Sequence, residues 1–136
     1  MADAHPAAAL TVLPYLEKTA DEVRLLATLC DECGYHTFPP STVCPRCMSL
    51  AVRPLRLNAE GRLYSYTTMR HGAGITYAGY VDFPENIRVF GHLGGYTEDT
   101  PPVCDSPVRV VAAAPVEGAR TSAPVDFKFV PKEVAR

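Results

Sequence analysis

No run of apolar residues in this chain of 136 approaches the ~20 that a membrane-crossing helix needs. The most apolar stretch, Val108 to Val116, is interrupted by Arg109 and Pro115. A surplus of positive charge is also missing. Thirteen Lys and Arg face fifteen Asp and Glu, for a net charge of −2, which argues against a general nucleic-acid binder with a wide basic face. No Lys or Arg precedes Lys18, so the first residues lack the charged start of a secretory signal. The sequence shows no internal repeat. The glycines of His71-Gly72-Ala73-Gly74 and Gly91-His92-Leu93-Gly94-Gly95 lack the strand–turn–helix setting of a dinucleotide fingerprint. Two acidic pairs, Asp21-Glu22 and Asp31-Glu32, are sequence neighbours that do not face one another as an acid/base couple. These absences leave a stand-alone enzyme poorly supported.

What the sequence does have is a cysteine pattern. Cys30-Asp31-Glu32-Cys33-Gly34 and Cys44-Pro45-Arg46-Cys47 are two Cys-x-x-Cys pairs with ten residues between them. Thiolates at i and i+3 of a tight turn can both reach one tetrahedral ion at roughly 2.3 Å. Gly34 is free to take φ > 0 where the first turn closes, and Pro45 suits a turn rather than a helix. Cys30, Cys33, Cys44 and Cys47 together fill a coordination sphere and leave no open position, which marks a structural site. Zinc meets the requirement without any redox poise. Iron in a rubredoxin-like site uses the same sulfur geometry. A pair of disulfides would need an oxidising compartment. With reduced cysteines as ligands, the expectation is a cytoplasmic protein.

Three regions follow: residues 1–22 as a tail or short helix, 23–55 as a rubredoxin-like zinc ribbon, and 56–136 as an OB-fold domain. The ribbon is too small for an apolar core of its own and should need its metal to fold. Val23 to Leu29 reads as a strand feeding the first knuckle, and Ser49 to Asn58 as a linker. Beyond it the pattern is all β. Strands are expected at Arg62–Arg70, Ile75–Phe83, Ile87–Leu93, Val108–Ala114 and Val125–Val130, with turns at Pro84-Glu85-Asn86 and Glu117-Gly118. Ile87, Val89 and Leu93 should share one face opposite Arg88 and His92, and Phe127 and Phe129 should share another. Five short strands with glycine-marked bends suit a small closed barrel of the OB type. The fold class is therefore mainly β.

Other chemistry is sparse. Cys104 lies in a Pro-rich loop with no histidine nearby in sequence and reads as a free thiol. His5, His36, His71 and His92 are too scattered for a metal motif; His36 can hydrogen-bond a thiolate of the cluster. From Cys44 to Arg70 the arginines are Arg46, Arg53, Arg56, Arg62 and Arg70, against the single acid Glu60. Such a strip can meet the phosphates of a small anionic ligand or an acidic partner surface. The alternative of a single-stranded nucleic-acid module has Tyr64, Tyr66, Tyr77 and Tyr80 as candidate stacking platforms, and the acidic charge balance against it.

The stretch from Leu25 to Gly34, Phe38-Pro39-Pro40, Cys44-Pro45-Arg46-Cys47, Gly61 to Thr68, and Phe127-Lys128-Phe129-Val130-Pro131 together resemble the zinc-ribbon/OB-fold acyl-CoA-associated family. Asp105-Ser106-Pro107 departs from the Gly-Met type of turn common there. The resemblance implies a non-catalytic partner of a thiolase-like catalytic subunit, in a hetero-oligomer that makes or breaks carbon–carbon bonds in acyl-CoA substrates. It implies no catalytic residue in this chain. Zinc would be held by the four cysteines, and Arg53, Arg56 and Arg70 would face CoA phosphates or the partner.

Overall fold

The computed structural model describes residues 14–19, 22–72, 74–113 and 127–132. No helix occurs among the described residues, and none is long and apolar enough to cross a membrane. The strands are β1 (Leu16–Lys18), β2 (Val23–Cys30), β3 (His36–Thr37), β4 (Val52–Arg56), β5 (Glu60–His71), β6 (Gly74–Phe83), β7 (Ile87–Leu93), β8 (Pro107–Ala112) and β9 (Phe127–Pro131). Residues 1–13 and the Glu117-Gly118 turn lie outside the described residues, while Leu16–Lys18, inside the segment expected as a tail or short helix, is a strand paired with β2.

β2 is the spine of the ribbon. Its first half pairs with β1, and its second half is flanked by β3 and β4, all antiparallel. Ser49 to Asn58 is therefore not a linker throughout. Val52–Arg56 forms β4, in register from Leu26↔Arg56 to Cys30↔Val52. Among the described residues β4 pairs only with β2, and an edge strand tolerates the N–H missing at Pro54.

β5 to β9 close a barrel in the order β5-β6-β7-β9-β8. All pairings are antiparallel except β7 with β9, which meet in parallel at Leu93↔Phe129. β7 alternates strictly, burying Ile87, Val89, Gly91 and Leu93 while Arg88, Phe90 and His92 face out. Phe127 and Phe129 both point inward, 5.7 Å apart and edge to face. Gly91 makes room for them. A Cβ there would lie 2.7 Å from Cε2 of Phe129 and 3.3 Å from Cε2 of Phe127. Gly91→Val should thus overpack the barrel and destabilise it by about 1–3 kcal/mol, read as a lowered urea midpoint.

The ribbon and the barrel share one core. Leu25 and Ala27 of β2 and Leu57 after β4 are fully buried with Leu63, Val81, Val108 and Phe129 of the barrel. Tyr15, Phe38 and Phe127 form an edge-to-face triad with centroids 6.1–6.5 Å apart. One ring comes from before β1, one from after β3 and one from β9. The ribbon, too small to hold apolar residues of its own, buries them against the barrel.

Candidate metal centre

The two knuckles are near copies of each other in backbone geometry. In the first, the Gly34 N–H donates to Cys30 O at 2.9 Å; in the second, the Met48 N–H donates to Cys44 O at 2.9 Å. Both closing residues sit in the left-handed region, Gly34 at φ 78° and Met48 at φ 67°. The sequence signalled the first through its glycine and hid the second, since methionine rarely adopts this conformation. The knuckles are tied together by the Asp31 N–H, which donates to Ala51 O at 2.8 Å.

These turns gather four sulfurs. The Sγ atoms of Cys30, Cys33, Cys44 and Cys47 all lie within 4.8 Å of one another. The pairs Cys30–Cys47 and Cys33–Cys44 are each 3.6 Å apart. A tetrahedron with arms of roughly 2.3 Å has edges of about 3.8 Å, so the cluster fits a zinc-sized ion. Disulfide bonding, the weakest of the three earlier alternatives, is not found: all four cysteines are free. Cys30 and Cys44 are buried, while Cys33 and Cys47 face solvent.

The amides of Cys33, Arg46 and Cys47 point at the sulfurs: Cys33 to Cys30 Sγ at 3.5 Å, and Arg46 and Cys47 to Cys44 Sγ at 3.4 and 3.5 Å. Backbone amides thus supply hydrogen bonds to sulfur of the kind that His36 was one candidate to make. His36 instead sits in β3, paired with Leu29. Desolvation works to raise the Cys44 thiol, but the Cys47 and Arg46 amides and the thiols of Cys33 and Cys47 bring it down to about 6. The Ser49 amide draws the Cys47 thiol down, yet desolvation and the sulfurs of Cys30, Cys33 and Cys44 push it up to about 12. Four thiols this close cannot all ionise by themselves, and a dication at their centre removes that conflict.

The arginine strip of the sequence does not stay together in space. Arg53 and Arg56 lie on β4, three residues apart, so they project from opposite faces. Arg53 Nε reaches Asp31 Oδ1 at 2.8 Å, and Arg56 Nε reaches Glu17 Oε1 at 2.7 Å. Arg62 Nη1 donates to Asp105 O at 2.8 Å, and Arg46 lies over the Tyr35 ring. Arg70 is exposed near the far end of the β5–β6 hairpin. Among the other expected residues, His71 Nε2 bonds Thr76 Oγ1 at 2.8 Å, and Cys104 is exposed.

Two features escaped the sequence reading. Cys104 lines an open cleft of about 740 Å³ whose charged walls include the ion pairs Arg62–Asp105 and Lys132–Glu60. On the barrel's outer face Tyr64, Tyr80 and Phe90 are exposed, with Tyr80 and Phe90 5.0 Å apart and Arg88 stacked 3.5 Å over Tyr64. Alternation along β7 flags Phe90 as outward, but only the fold shows which aromatics it joins. Tyr77, one of the four expected stacking tyrosines, is buried in the core.

A four-sulfur ribbon packed onto a closed OB barrel defines the class of the molecule. One family model, described as the rubredoxin-like zinc ribbon domain of ChsH2, matches residues 19–53; a second, the C-terminal OB-fold domain of ChsH2, matches residues 56–113. The chain belongs to this ChsH2 family of zinc-ribbon/OB-fold proteins. The family resemblance carried by the ribbon and the Ser-Tyr-Thr strand is borne out.

Among curated relatives it is similar to the benzoylsuccinyl-CoA thiolase subunit BbsA of Thauera aromatica, 31% identical over 105 residues that cover 74% of this chain and 71% of that one. BbsA of Geobacter metallireducens is 30% identical, with coverage of 74% and 69%. Among solved structures, one titled Ltp2-ChsH2(DUF35) aldolase superposes with a TM-score of 0.60 over 79% of this chain and 84% of that chain. At 23% identity this is a likeness of fold.

Proposed function

We propose that this chain is a non-catalytic, zinc-binding subunit of a thiolase-superfamily complex acting on acyl-CoA substrates, placed in the cytoplasm. It would help assemble the complex and shape the acyl-CoA pocket. The observation that carries this reading is the sealed sulfur cluster. Four ligands from one chain fill the coordination sphere, so the ion supplies cross-linking and charge neutralisation rather than a site for substrate. The relatives' names, a thiolase subunit and an aldolase pairing ChsH2 with Ltp2, support a catalytic partner on a separate polypeptide. In this reading Cys30, Cys33, Cys44 and Cys47 hold structural zinc, with iron the alternative that the same sulfur geometry accepts.

Arg53, Arg56 and Arg70 are proposed to meet CoA phosphates or the partner surface, Arg53 and Arg56 from opposite faces of β4. A phosphate at β4 competes with Asp31 and Glu17 for guanidinium groups that are already paired, so the gain at each is modest. Replacing both Arg53 and Arg56 with Ala should raise the KM of the assembled complex for acyl-CoA severalfold, on the order of 1 kcal/mol, and leave kcat nearly unchanged. An unchanged KM would remove the phosphate role. Single-stranded nucleic acid fits less well, because Tyr77 is buried and Arg88 is held by both carboxylate oxygens of Asp82.

A further inference from the structure

β5 is twelve residues long, but β8 covers its outer edge only from Glu60 to Arg62. Leu63 then exchanges backbone hydrogen bonds with Asp105 and Ser106, and a register shift follows between Leu63 and Ser65. From Ser65 to His71 the strand pairs with β6 on one side, and among the described residues no strand pairs with it on the other. β7 ends its pairing with β6 at Leu93↔Tyr77. The pairs Met69↔Thr76, Arg70↔Ile75 and His71↔Gly74 therefore continue as two strands past the end of β7, with Ile75 still packed against the core. Two strands alone are marginal in water.

A seven-residue edge offers roughly 23 Å of unpaired N–H and C=O groups. Free edges are commonly blunted with lysine or proline, and neither occurs between Ser65 and His71. Nor is there any carboxylate from Gly61 to Val81, while the same stretch carries Arg62, Arg70 and His71.

We infer that the Ser65–His71 edge of β5 is a docking strand that accepts an extended segment of the catalytic subunit, one bearing a carboxylate opposite Arg70. Main-chain pairing of this kind supplies affinity through backbone hydrogen bonds, with side-chain chemistry setting the choice of partner. Charge decides between an acidic foreign strand and a second copy of this chain. Two copies paired antiparallel over this edge would set Arg70 of each near Tyr66 of the other, and neither copy offers a carboxylate there.

The inference rests on the accessory-subunit reading, and one experiment separates the two. Amide hydrogen exchange is followed in the free chain and in the complex co-produced with its thiolase-superfamily subunit. Alternate amides between Ser65 and His71 should exchange at least about tenfold more slowly in the complex alone. Arg70→Glu should weaken the complex by about fivefold, the scale of one exposed ion pair. If the complex forms and these amides are no slower, the docking strand is wrong and the subunit reading stands. If no complex forms, both fall. Protection already present in the free chain overturns the proposal as well. It would mark a second copy if it varies with concentration, and cover by the chain's own segments if it does not.

Discussion

Cys44→Ser should leave a chain that holds no metal and has lost its ribbon. Cys44 is buried, accepts two backbone N–H groups and forms one edge of the sulfur tetrahedron with Cys33. Structural zinc contributes apparent binding energies of about 10–16 kcal/mol at neutral pH, comparable with the whole stability of an ordinary domain. Little else can hold the knuckles in place. β3 is two residues long, and Cys33, Pro45, Arg46 and Met48 are exposed. Metal analysis should find one zinc per wild-type chain and none in the variant, with the amides of Cys30 to Cys47 losing their exchange protection. A strong chelator should have the same effect on the wild type. Cys104→Ser, altering an exposed thiol outside the cluster, should retain its zinc in full. If Cys44→Ser kept both metal and protection, a structural role for the cluster would be untenable.

The second large effect is expected at Phe127. Its ring packs on Tyr15 at 6.1 Å, on Phe38 at 6.5 Å and on Phe129 at 5.7 Å, so it faces the ribbon and the barrel at once. Phe127→Ala removes a large buried ring where neighbours from three separate segments cannot all collapse inward. A loss of about 3–5 kcal/mol follows, or a fall in Tm on the order of 10–15 °C. Because the lost contacts lie between the two parts, zinc should also become easier to strip with a chelator, although every ligand remains. A fall of only ~1 °C would mean that the ribbon and the barrel do not depend on each other.

Much of this architecture was legible in the chain itself. Strict alternation along Ile87–Leu93 and the paired phenylalanines at 127 and 129 marked two barrel strands, and the cysteine spacing marked the four-sulfur cluster. Local signals failed where a distant neighbour decides the outcome. Ser49 to Asn58 read as a linker because β2, the strand that Val52–Arg56 pairs with, stands more than twenty residues earlier. The arginines looked like a basic strip because their acids, Glu17, Asp31 and Asp105, stand elsewhere in the sequence. The shared core was hidden for the same reason. Tyr15, Phe38 and Phe127 meet only once the barrel has closed. Met48 was missed for another reason: it closes the second knuckle in the left-handed region that a glycine fills in the first.

The central claim is that this chain gives shape to a site whose bond-making groups belong to another polypeptide. It is tested most directly by assaying acyl-CoA carbon–carbon bond cleavage with the zinc-loaded chain alone, with the thiolase-superfamily subunit alone, and with the two together. The chain alone should match the no-protein control and the mixture should be active. Turnover by the zinc-loaded chain alone, abolished by a substitution within it, would contradict the claim.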